Sequence, residues 1–188
     1  MEIYLIRHTK PNCDKGICYG QADVDIQDDL ELNKLKNNII NPEEFVFYTS
    51  PLKRCLKLAE HISNSKFIYD NRLMEINFGD WELQKWTSIE NHKDFRSWRN
   101  DFIEFSCPNG ESFQDLYKRS INFFKEILKT DHKKVAIVTH AGVIRCILSH
   151  ILEIPLKKAP NLQINYGSIS KIKVLEYAIS VEYINKQA

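Results

Sequence analysis

Apolar and polar positions change their spacing several times along the chain, and the changes mark out elements. Residues 3–6 form a short apolar run containing Tyr4, the pattern of a buried strand. Residues 45–48 and 135–138 repeat it, and residues 67–69 form a shorter strand. Between them the period lengthens. Leu32, Leu35 and Ile39 recur at helical spacing until Asn41-Pro42 stops them. Leu52, Cys55, Leu56, Ala59 and Ile62 mark a second helix, with Pro51 suited to its first position. Phe113, Leu116, Phe124 and Leu128 mark a long third helix, which Ser112 and Asp115 open in the manner of a capping box. Residues 143–152 give a fourth, stopped before Pro155.

The C-terminal part is different in kind. Ile172 and Val174 alternate with lysines, and Ile179, Val181 and Tyr183 alternate with Ser180 and Glu182, the period-two pattern of an antiparallel hairpin with one wet face. The order strand, helix, strand, helix, strand, helix, hairpin predicts the α/β class. The expected architecture is a three-layer α/β/α sandwich whose central sheet is mostly parallel and ends in a C-terminal antiparallel hairpin. A single domain over residues 1–188 is expected. Two stretches resist assignment. Residues 9–29 are polar, without period, and hold Pro11, Gly16 and Gly20; a loop this long in a compact domain is usually functional. Residues 73–98 are rich in aromatics and mixed in pattern.

Composition narrows the classes. The chain is 43% hydrophobic and 27% charged, a globular balance. Lys+Arg is 26 and Asp+Glu 25, a net charge of +1, so no bulk basic field draws the protein to nucleic acid or to a membrane surface. No apolar run approaches the roughly 20 residues of a membrane span. The first residues show no basic, apolar or cleavage region of a secretory signal, so a cytoplasmic location is expected. Cys13, Cys18, Cys55, Cys107 and Cys146 are odd in number and irregular in spacing, without a C-x-x-C pair. They read as reduced thiols, and no metal or other cofactor is indicated.

Open α/β sheets bind ligands at the carboxyl ends of their strands. Arg7-His8-Thr9 follows the first strand, Thr49-Ser50-Pro51-Leu52-Lys53-Arg54 the second, and Thr139-His140-Ala141-Gly142 the last strong one. Two histidines and two arginines thus meet at one end of the sheet. Arg54 falls in a helix's first turn, where the dipole disfavours a cation unless an anion is bound. Guanidinium forks match phosphate oxygens, and imidazole is a nucleophile at neutral pH. The set points to phosphoryl chemistry without a metal, on a small phosphorylated metabolite. No G-x-x-x-x-G-K-[ST] or G-x-G-x-x-G loop is present. A proton donor must come from a carboxyl, and residues 73–82 offer several; spacing does not separate Glu75 from Glu82.

These pieces resemble the histidine phosphatase superfamily, also called phosphoglycerate-mutase-like. The matching residues are Arg7-His8, Ser50-Pro51-Leu52-Lys53-Arg54, Glu75 in L-x-E-x-x-F-G-x-W-E, Pro108-Asn109-Gly110-Glu111-Ser112 and Thr139-His140-Ala141-Gly142, in family order over nearly the whole chain. The resemblance implies that His8 becomes phosphohistidine and that Arg7, Arg54 and His140 hold the phosphoryl oxygens. It makes Glu75 the acid for the leaving oxygen and then the base for water.

A narrower resemblance, to the α-ribazole phosphatase subgroup, rests on Arg7-His8-Thr9-Lys10-Pro11 and on Gly16-Ile17-Cys18-Tyr19-Gly20-Gln21-Ala22-Asp23-Val24. It implies hydrolysis of α-ribazole 5′-phosphate in assembly of the cobalamin nucleotide loop. The alternatives are a broad-specificity phosphatase of small metabolites and a phosphoglycerate mutase, the latter disfavoured by the short chain. Tyr19 and Gln21 are read as substrate-binding, with loop support as the alternative. Three positions depart from the family pattern: Thr9 and Leu83 replace glycines, and Leu58-Ala59 replaces Thr-Ala. Trp81, Trp86 and Trp98 read as core, with stacking on a flat base as the alternative. Arg145 is expected on the surface or in an ion pair. His61, His92, His132 and His150 fit no ligand spacing. Nothing in the sequence sets an oligomeric state.

Overall fold

The computed structural model describes residues 1–27, 30–39, 41–64 and 66–187, without the side chains of residues 30 and 31. Asp29, the expected end of the polar segment, and Ala188, the last residue of the expected domain, lie outside the described residues. The strands are β1 (Glu2–Arg7), β2 (Phe45–Thr49), β3 (Ile68–Tyr69), β4 (Lys134–Thr139), β5 (Ile169–Val174) and β6 (Ile179–Lys186). The α-helices are α1 (Leu30–Asn38), α2 (Lys53–Ile62), α3 (Trp86–Ile89), α4 (Phe95–Asn100), α5 (Phe113–Ile127) and α6 (Ala141–Ile151).

One sheet joins the strands in the order β3-β2-β4-β1-β5-β6. The first four run parallel, β5 lies antiparallel to β1, and β6 lies antiparallel to β5. Alternation along the buried strands divides the core. Ile3 and Leu5 of β1 and Val135 and Ile137 of β4 face one layer, packed with Phe123 and Phe124 of α5 and Ile144 and Ile147 of α6. Ile6, Ala136 and Val138 face the other, packed with Leu35 of α1 and Cys55, Leu58 and Ala59 of α2. Period-two strands between two helical faces make the expected sandwich. The pair β5–β6 supplies the antiparallel hairpin, with polar residues on its wet face.

Local expectations met the structure with small shifts. Ser112 caps α5: its Oγ accepts from the Asp115 N–H at 3.2 Å, and the Asp115 carboxylate accepts from the Ser112 N–H at 3.1 Å. Pro51 does not open α2, which starts two residues later behind Leu52. The Ser50 N–H donates to the Val138 carbonyl at 3.0 Å and keeps that corner extended, while Asp23 takes the Lys53 N–H at 2.8 Å. The third strand shortens to two exposed residues at the sheet edge. Residues 73–98 become short turns and the small helices α3 and α4. Their aromatics gather in a third cluster with Cys18, Trp81, Ile89 and Cys107 at its centre.

Candidate active site

Parallel pairing of β1 with β4 sets Arg7 opposite Thr139, and the His8 N–H continues the ladder to the Thr139 carbonyl at 3.0 Å. His8 and His140 therefore leave adjacent strands side by side, with ring centroids 5.0 Å apart. Both are buried, at 2% and 0% exposure, and so is Arg54 at 0%. The His8 Nδ1 lies 2.6 Å from the Thr9 carbonyl oxygen. A carbonyl only accepts, so Nδ1 carries the proton and Nε2 keeps its lone pair. Burial, then the Arg54 and Arg7 charges, push His8 well below the usual histidine range. His140 is pushed the same way, by burial first and Arg54 second. Both imidazoles are neutral at neutral pH. The His140 Nε2 pairs with the Ser50 Oγ at 2.8 Å and touches the Cys55 Sγ at 3.4 Å.

The arginines are held by backbone. Arg7 donates to the Ile164 carbonyl at 2.5 Å; Arg54 donates to Ala22 at 2.9 Å and Gly20 at 2.6 Å. The Nε of each is buried without a partner, as is the Thr9 Oγ1 beside them. Unpaired buried donors are costly, and an anion in their midst would satisfy them.

Geometry separates the two carboxylates that spacing did not. Glu82 is spent on the loop: it accepts from the Gln21 N–H at 2.8 Å, Ala22 at 2.7 Å and Phe78 at 3.0 Å. Glu75 lines the cavity beside His8, held by the N–H groups of Ile76 at 3.0 Å and Gly142 at 3.1 Å. Gly142 is the second residue of α6, and a Cβ there would stand 2.2 Å from the Glu75 Oε1, so the approach requires glycine. Behind Glu75, Arg119 pairs with Glu111 and donates to the carbonyls of Arg72, Met74 and Glu75 at 2.6–2.8 Å, fixing that backbone.

A cavity of about 460 Å³ opens from Arg7, His8 and Glu75. Its far wall is apolar and aromatic: Ile17, Phe78, Trp86, Trp98, Phe102 and Phe113. Trp86 and Trp98 stack at 5.9 Å and 25°. Among the described residues no group of three or more His, Cys, Asp and Glu could hold a metal ion, and no helix is long and apolar enough to cross a membrane.

The sequence profile of the histidine phosphatase superfamily (branch 1) matches residues 3–187. The chain belongs to that superfamily. As a histidine phosphatase it is a phosphomonoesterase, and several relatives with different substrates resemble it. Phosphoserine phosphatase 1 of Hydrogenobacter thermophilus is 26% identical over 185 residues, covering 94% of this chain and 88% of its own. The adenosylcobalamin/alpha-ribazole phosphatase of Salmonella typhimurium is 23% identical over 197 residues, covering 100% and 98%. The crystal structure of the alpha-ribazole phosphatase from Shigella flexneri superposes with a TM-score of 0.88 at 22% identity, over 100% of this chain and 98% of the other.

Against this histidine phosphatase frame, Arg7, His8, Arg54, Glu75 and His140 lie in one neighbourhood. Tyr19 lines the cavity. The Gln21 side chain instead donates to the Glu75 carbonyl at 2.9 Å, supporting the segment that carries Glu75. Trp81 is core, fully buried, whereas Trp86 and Trp98 reach the cavity wall. Arg145 corrects its expectation. It is neither free on the surface nor, among the described residues, in an ion pair: its Nε donates to the Leu162 carbonyl at 3.0 Å and it lines the cavity. Its place one turn beyond His140 on α6 was the signal for that. Arg119 and Tyr166, which packs against Arg7, carried no local signal.

Proposed function

We propose that this phosphatase hydrolyses a ribose 5′-phosphate bearing a flat aromatic base, α-ribazole 5′-phosphate being the candidate, through a phosphohistidine at His8. The aromatic wall of the cavity that His8 lines carries the reading. A phosphate ester that buries a planar apolar group there gains area and stacking that a small sugar phosphate lacks.

The steps follow from the donors. Arg7, Arg54 and His140 hold the phosphoryl oxygens, preorganised in a dry pocket. The His8 Nε2 attacks phosphorus, the ester P–O bond breaks, and the Glu75 carboxyl protonates the leaving oxygen. Glu75, now a carboxylate, takes a proton from water. That water attacks phosphorus, the P–N bond breaks, and phosphate and neutral His8 are released. No step requires a metal.

One observation favours a second reading. Arg145 brings to the cavity a cation that makes no ion pair among the described residues. A phosphorylated small carboxylic acid would pair with it, and phosphoserine phosphatase 1 is among the relatives.

A phosphate-release panel in EDTA tests both. It should contain α-ribazole 5′-phosphate, nucleoside monophosphates, phosphoserine and 3-phosphoglycerate, the last also seeded with bisphosphate to detect mutase activity. The expected result is a kcat/KM for α-ribazole 5′-phosphate about tenfold above the rest, removed by Trp98→Ala. A preference for phosphoserine that Arg145→Met abolishes would select the carboxylic acid. A flat profile would mean a phosphatase of broad specificity.

A further inference from the structure

Two tyrosines bracket the half-buried Arg7 and the buried Arg54. The Tyr166 ring lies under the Arg7 guanidinium, 3.7 Å from its carbon to the ring centroid, and 5.6 Å from the His8 ring. The Tyr19 ring faces the Arg54 guanidinium at 5.3 Å. The two hydroxyls meet at 2.5 Å. One tyrosine comes from the loop after β1, the other from the segment before β5, so this bond ties together two chain segments 147 residues apart.

The arrangement answers an electrostatic problem. Arg7 and Arg54 are like charges in a pocket where, among the described residues, neither makes an ion pair. A carboxylate beside them would neutralise the charge, but it would occupy the same N–H donors that a phosphoryl group needs. An aromatic face is attracted to a guanidinium from above its plane. It steadies the cation and leaves the in-plane donors free. Both Nε groups are indeed buried and unpartnered, while backbone carbonyls fix other nitrogens of each fork. Burial first, then the Tyr166 hydroxyl, push the Tyr19 phenol up, so Tyr19 brings a neutral hydroxyl to the link across the neutral pH range.

We propose that Tyr166 is a positioning residue whose ring holds Arg7 in place for the phosphoryl group. The inference rests on the reading of Arg7 as a phosphoryl holder. It predicts an effect on the phosphate end that is the same for every substrate.

Competitive inhibition by inorganic phosphate measures that end without a leaving group. Tyr166→Leu should weaken phosphate about tenfold and lower kcat/KM by a similar factor for every substrate, the scale of one desolvated cation–π contact. Tyr166→Phe keeps the ring and should restore phosphate to within about twofold of the unmodified protein. Tyr166→Met fills the volume without an aromatic face and gives the same readout should the leucine variant fail to fold. A lowered Tm with phosphate affinity unchanged would overturn the proposal, as would Phe and Leu variants that behave alike. Arg7→Ala separates the two levels. If it leaves phosphate inhibition unchanged, the reading of Arg7 as a phosphoryl holder fails. If it weakens phosphate while Tyr166→Leu does not, only the positioning role fails.

Discussion

His8 meets its proposed task through a single hydrogen bond and its burial. The bond from Nδ1 to the Thr9 carbonyl fixes the tautomer, so Thr9 performs with its backbone what its side chain does not need to do. Burial and the two arginines oppose a charge on the ring. The sign for activity follows. In the proposed mechanism the neutral imidazole is the nucleophile, and a group held well below 6.5 stays neutral as the pH falls through that value. The acid limb of kcat/KM, which reports the free enzyme, should therefore lie below pH 6.5, the unperturbed histidine value. A pH profile on the preferred substrate checks this, and an inflection at or above that value would contradict it. At this scale sequence gave the residue types and their places after strands. Spacing alone left Glu75 and Glu82 equal, because seven residues of irregular chain place a carboxylate anywhere, and only the family resemblance favoured Glu75. In the structure, the cage of three N–H donors around Glu82 and the place of Glu75 in the cavity lining distinguish them.

Elements convert those residues into a site through two glycine-sensitive corners. At the start of α6, Gly142 lets the Glu75 carboxylate reach the helix N-terminus. Gly142→Ala would put a methyl group 2.2 Å from the Glu75 Oε1 and displace the proposed acid. Loss of general acid catalysis lowers kcat by about 100-fold or more. Stopped assays on the variant, with circular dichroism to confirm folding, would show the drop; unchanged kcat would contradict the role. The second corner is Leu83, where the family pattern carries glycine. Leu83 sits at φ 62°, in the left-handed region, with its N–H pinned to the Cys18 carbonyl at 2.6 Å and its side chain exposed. Leu83→Gly should relieve that strain and stabilise the protein by about 1 kcal/mol, measured by urea unfolding. A destabilised variant would mean that the side chain contributes more than its backbone costs. The strands and longer helices were legible because each buries a face with a regular period. Residues 73–98 were not, because their aromatics pack on one another in short turns without a period.

At the scale of the molecule, the sheet order brings the ends of β2, β4 and β1 together, and the loop after β1 and the segment carrying Glu75 line the cavity beside them. That convergence was legible from topology, since ligands of open α/β sheets lie at the strands' carboxyl ends. The supports were not. Arg119 on α5 braces the backbone of Glu75, and Tyr166 before β5 faces Arg7; both act across separations that no local pattern records. The aromatic wall likewise combines α3, α4 and the loop after β1 into one surface. The whole arrangement serves one proposed event, transfer of a phosphoryl group to His8. Rapid acid-free quench of the enzyme with labelled phosphate ester, followed by peptide mapping, tests it most directly. The account predicts an acid-labile phosphoryl group on His8, with no label and no turnover in His8→Ala. Label on another residue, or turnover that survives His8→Ala, would contradict it.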